Sequence, residues 1–171
     1  GATLDDPALA AFLETLATRV EVIAFEPRGQ GGSGGRFGPP VVDDLRGLLA
    51  DLPSRWHQGL RPVVAGHGLG AWLALAVADA PGLAGVLALG PVPRVPAVVE
   101  AARAARPPLD LPALVVDGRD QEAAELGPLA EWVAREPLAT RISVPGGHAA
   151  PLLPPWGEVA AAWTAMRAGP R

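Results

Sequence analysis

Two rhythms alternate along the chain. Short β-branched runs bounded by Gly and Pro take turns with longer Ala/Leu-rich stretches whose apolar residues recur at helical spacing. The short runs are Val20-Glu21-Val22-Ile23-Ala24-Phe25, Pro62-Val63-Val64-Ala65, 83–89, 113–116 and 140–144, and each predicts a strand. Helical spacing predicts a first helix from Pro7 to about Thr18, with Thr3 or Asp5 as its cap and Pro7 in its first turn. Further helices are expected over 41–52 (ending at Pro53), 69–80 (stopped by Pro81-Gly82), 97–105, 121–135 and 156–167. Strands separated by helices make βαβ units, so the expected fold class is α/β: a mostly parallel sheet with helices on both faces. No repeat or linker interrupts 1–171, which predicts a single domain; the proline-rich stretch 90–112 holds one helix and leaves no room for a large cap.

Composition narrows the function classes. At 49% hydrophobic residues and a net charge of -4 over 171 residues, the chain can bury one sizeable core and is not a disordered tail. The mildly acidic balance without a basic run argues against a nucleic-acid partner. Having no cysteine, the chain cannot offer a disulfide scaffold, a thiolate metal site or a cysteine nucleophile. Lysine is absent too, which removes Schiff-base chemistry and a phosphate-loop lysine. No segment reaches the roughly 18 apolar residues of a membrane span, and the N-terminus has neither the basic flank nor the apolar stretch of a signal peptide. The expectation is a cytoplasmic protein with no membrane partner and no metal or other cofactor, able to take a small-molecule ligand or substrate. Gly1 in place of an initiator Met suggests a processed, tagged or truncated start.

In parallel sheets ligands bind beyond the carboxyl ends of the strands. The segments there are Glu26-Pro27-Arg28-Gly29-Gln30-Gly31-Gly32-Ser33-Gly34, Gly66-His67-Gly68-Leu69-Gly70, Gly90-Pro91, Asp117-Gly118-Arg119-Asp120 and Pro145-Gly146-Gly147-His148. An acid and a histidine, each just past a different late strand, are what a charge-oriented general base requires: the imidazole takes a proton and the carboxylate fixes its tautomer. His57, beside Trp56, reads as a surface residue, and the five tryptophans read as helix-to-sheet packing.

In these segments the chain resembles the α/β-hydrolase family. Gly66-His67-Gly68-Leu69-Gly70 is similar to the family's nucleophile elbow, Gly-x-Ser-x-Gly, except at its centre. Pro27-Arg28-Gly29-Gln30-Gly31-Gly32-Ser33 is similar to the family's turn after the preceding strand. The resemblance implies Gly68 at the nucleophile position, Asp120 as triad acid, His148 as triad histidine and the N–H of Leu69 in the oxyanion hole. It also implies an open pocket bounded by Gln30, Leu69, the 91–96 segment and His148, with His67 as a packing and hydrogen-bonding residue of the elbow. Asp117, directly on a strand end, competes for the acid role.

The chain departs from the family pattern in two places. Gly68 has no Oγ, so family-type acyl-enzyme chemistry cannot operate, and Ser33, Ser54 and Ser143 lie elsewhere. Glycine suits the position sterically, because an elbow residue is held at positive φ. Non-enzymatic branches such as the N-myc-downregulated-like proteins resemble the chain in this glycine. The second departure is a strand that the family places ahead of the first helix, between 20–25 and 62–65, whose following turn supplies the other oxyanion N–H. Here the sequence opens where that strand would end, which implies a truncated chain, direct pairing of the two flanking strands, or a strand from another chain and hence a homo-oligomer. The function expected is a relative of esterases and peptidases that is catalytically impaired or a non-enzymatic binding protein. One alternative keeps catalysis, with Asp120 and His148 activating water against a small ester or other carbonyl compound. Another is dinucleotide binding at Gly66-x-Gly68-x-x-Ala71, which follows a strand and opens a helix, although the next strand ends in Gly90 and not in an acid. Gly29-x-Gly31-x-x-Gly34 is a poorer phosphate cradle, since Pro39-Pro40 follow it in place of a helix.

Overall fold

Four of the apolar runs pair into one parallel sheet in the order β1 (Val63–His67), β2 (Gly85–Leu89), β3 (Ala113–Gly118), β4 (Ala139–Val144). The computed structural model describes residues 6–55, 61–92, 95–121 and 123–168. β2 and β3 are buried along their whole length, which is why they read as continuous apolar runs without alternation. The helices are α1 (Pro7–Ala17), α2 (Val41–Arg55), α3 (Leu69–Ala76), α4 (Pro96–Ala105), α5 (Ala123–Val133) and α6 (Trp156–Ala168).

Strand pleating divides the core in two. Val86, Ala88, Ala113 and Val115 point into a layer formed with α2, α3, α4 and α5, where Trp72, Leu75 and Leu129 are fully buried. Their neighbours Leu87, Leu89, Leu114 and Val116 point the other way, onto α1 and α6 through Phe12, Leu16 and Ala161. The parallel sheet with helices on both faces is thus present.

Helix ends differ from the expected ones. The cap of α1 is Asp6, whose carboxylate accepts from Ala8 N (2.9 Å) and Leu9 N (3.2 Å). Thr3 and Asp5, the expected caps, lie outside the described residues, as do Trp56 and His57. α2 continues past Pro53 to Arg55, because a proline in a last turn removes a single rung of the ladder. α3 stops at Ala76, earlier than its apolar pattern, and Ala80 N closes a tighter turn onto Val77 O (2.9 Å).

Residues 20–25 are not a strand, which corrects the sequence reading. A strand exists only by pairing, and among the described residues β1 pairs with β2 alone, so the direct pairing of the two flanking strands does not occur. Apolar content made the segment look like a strand; packing without a ladder is what it has, with Val22 against the α1/α6 layer and Phe25 against the other. The following Gly-rich loop is tied down by Glu26, which accepts from Gly32 N through its carboxylate (2.7 Å) and from Ser33 Oγ through its carbonyl (2.8 Å). A two-pronged Arg28–Asp44 pair fastens the loop to α2, raising the Arg28 guanidinium and lowering the Asp44 carboxyl from their ordinary pKa values. Among the described residues no helix is long and apolar enough to cross a membrane.

Candidate functional site

The β1-to-α3 turn is built by its glycines. At Gly66 a Cβ would overlap the Gly70 carbonyl, so the strand can pass this close to the helix start only without a side chain. Gly68 sits at φ 61°, ψ -116°, backbone that L residues enter only under strain. A Cβ placed there would meet only Val92 Cγ2, at 3.5 Å. The turn therefore has space for a side chain, and glycine relieves its strain. Leu69 follows as the first residue of α3, so its N–H points out of the helix start.

The other loops converge on this turn. Gly68 N donates to Leu89 O (2.9 Å), and Val92 N reaches back to Gly68 O (3.4 Å). Gly90 lies against the backbone of His148, where a Cβ would overlap its carbonyl, and Gly118 lies equally close to Gly146 and Gly147. Asp120 N donates to Gly146 O (3.1 Å), which joins the turn after β3 to the loop after β4. Gly68 and His148 are thus gathered at one edge of the sheet through the β2 exit.

His148 and His67 form the core of the cluster. Their rings stack with centroids 5.6 Å apart and planes 17° from parallel. His67 Nε2 donates to the His148 carbonyl at 3.0 Å, which places the neutral proton on Nε2, while His67 Nδ1 is buried with no hydrogen-bond partner among the described residues. Burial holds the His67 pKa below its ordinary value; the His148 carbonyl opposes this, His148 charge adds to it, and the Asp6 carboxylate opposes it weakly.

The two candidate acids part company. Asp117 is fully buried, accepting from Arg141 Nε (2.7 Å) and Ser143 Oγ (2.5 Å). Its lone pairs are committed across the β3–β4 ladder. Asp120 is exposed, and among the described residues no hydrogen bond joins its carboxylate to His148. Gln30 is half-buried, and its backbone closes turns within the Gly-rich loop; among the described residues its side chain bonds neither the elbow nor His148. A residue that the sequence reading assigned only to a helix start stands out here. Gln121 Oε1 accepts from Gly118 N (2.9 Å) while its Nε2 donates to Pro91 O (2.8 Å), cross-linking the exits of β2 and β3. Its position directly after Asp120 was the only signal in the sequence. A shallow depression around Arg61, Asp79 and Asp110 opens at the opposite, amino ends of the strands.

A family model described as the alpha/beta hydrolase family matches residues 3–170. The chain belongs to the alpha/beta hydrolase family. Solved structures with the same fold include an alpha-beta serine hydrolase homologue from Coxiella burnetii (TM-score 0.71, 19% identity, 98% of this chain and 78% of that one). An esterase from Pyrococcus furiosus gives a TM-score of 0.75 at 16% identity, over 94% of this chain and 76% of the other. A lidless serine hydrolase from Xanthomonas campestris gives 0.68 at 20% identity, over 87% and 67%. No curated protein matches the chain significantly. The Gly-rich turn between β1 and α3 is the segment for which the resemblance implies a nucleophile elbow.

Proposed function

We propose that this alpha/beta hydrolase forms no acyl-enzyme and works as a binding protein for a small carbonyl compound. The observation that carries the reading is Gly68: the elbow is built, with strained backbone and room for a side chain, yet it presents no nucleophile. Ser33 and Ser143 are not available to replace it, since Ser33 Oγ donates to Glu26 O and Ser143 Oγ to Asp117. The elbow N–H of Leu69 and the half-buried His148 imidazole are suited to hold a carbonyl oxygen. The water-activating alternative requires Asp120 to orient His148, a bond absent from the described residues.

A fluorophosphonate probe tests the reading. The wild-type chain is expected to remain unlabelled and to hydrolyse short-chain nitrophenyl esters no faster than buffer. Stoichiometric labelling would overturn it, and hydrolysis lost in His148→Ala would replace it with the water-activating reading.

A further inference from the structure

The elbow carries a second histidine that no part of this reading uses. His67 is mostly buried, and its Nε2 proton is the hydrogen bond from β1 to the loop bearing His148. The same loop is held by local turns, Ala150 N to Gly147 O and Leu152 N to Ala149 O, each 3.0 Å, by Asp120 N donating to Gly146 O (3.1 Å) and by Leu152 in the core, so that His67 supplies its tie to β1. We infer that His67 is a pH-sensitive latch, positioning the His148 loop when neutral and releasing it when charged.

The chemistry follows from the surroundings of the ring. Neutral His67 with its proton on Nε2 satisfies the His148 carbonyl and leaves Nδ1 as a bare acceptor in a dry place. Protonation puts an N–H on Nδ1, which has no hydrogen-bond partner among the described residues, a buried donor left unmade. It also sets a cation against the stacked His148 ring, whose charge opposes that of His67. Among the described residues, the titratable groups acting on His67 are His148, from the loop after β4, and Asp6, from the start of α1. Asp6 favours the cation but spends its carboxylate on Ala8 N and Leu9 N, and its effect is smaller than that of burial.

The sign is fixed by the depressed pKa. The latched form binds the His67 proton less readily than the open form, whose imidazole is near the ordinary value of 6.5. Latching is therefore complete above that pH and is lost as the pH falls below it toward the latched-state pKa. Through this window the opening equilibrium of residues 146–152 rises by up to about tenfold per pH unit, one proton being coupled to opening.

Hydrogen exchange from about pH 8 to about pH 5, corrected for the intrinsic rate at each pH, measures this opening at the amides of Ala150 and Leu152. The expected result is falling protection in the wild type and protection independent of pH in His67→Gln, whose side-chain amide can still donate to the His148 carbonyl but does not titrate. Protection that ignores pH in the wild type would overturn the latch. So would the same pH dependence in His67→Gln, since it would then not arise from His67. As a control that needs no variant, the His67 ring resonances of the wild type must titrate over the window in which protection is lost; a mismatch also refutes the proposal.

Discussion

Gly66 and Gly68 stand two residues apart and are glycine for different reasons. At Gly66 the obstacle is rigid, because a Cβ would overlap the backbone of Gly70 and the helix or the strand must move. At Gly68 the space is open to Val92 and the obstacle is conformational, a positive φ that costs a side-chain-bearing residue about 1–3 kcal/mol. Overpacking against backbone adds to a cost of about 1–3 kcal/mol that softer core contacts already show. Gly66→Ala is therefore expected to lose more stability than Gly68→Ala in urea unfolding. An equal or reversed order would show that strain and not close approach governs the turn. The same contrast explains what could be read in advance: the Gly-x-Gly-x-Gly spacing marks a sharp strand-to-helix bend by local rules alone. The stacking of His67 on His148 joins residues 81 positions apart and leaves no local mark.

Among the elements, β3 and β4 are joined by more than their ladder. Asp117 lies opposite Ser143 and two places along from the partner of Arg141, so all three side chains meet on one face of the sheet. Asp117→Ala removes the carboxylate from a buried site and leaves Arg141, about one-third exposed, to turn toward water. A cost of about 2 kcal/mol is expected, less than for a fully enclosed pair, and Asp120→Ala is expected to cost almost nothing by comparison. Equal losses in chemical denaturation would mean that Asp120 is bonded in solution. Strands of this kind were legible because β2 and β3 are buried throughout and so are apolar throughout. Residues 20–25 are also rich in apolar residues but join no ladder among the described residues, a condition set by other parts of the chain. Helix ends were less legible for a related reason: Thr3, Asp5 and Asp6 are equivalent as caps by chemistry, and only the backbone turn selects Asp6.

Across the whole molecule, loops from four strand ends meet at the carboxyl edge of the sheet, and their order along the chain made the alpha/beta hydrolase plan readable. What order alone cannot convey is whether the meeting makes a relay. His148 faces His67 through its ring, Asp120 stays exposed, and Gln121 holds the exits of β2 and β3 together in that arrangement. Gly68→Ser puts the question to the assembled protein. The new side chain has room beside Val92, so the variant should fold, with a melting temperature lowered by the strain at positive φ. Its hydroxyl would still need an imidazole oriented by a carboxylate, and loss of that orientation lowers triad catalysis by about 10⁴-fold. Nitrophenyl-ester hydrolysis by folded Gly68→Ser is accordingly expected to match the parent chain. Turnover above the parent that disappears in Gly68→Ser/His148→Ala would show instead that Asp120, His148 and the elbow close into a working triad, and that the serine alone separates this chain from an active hydrolase.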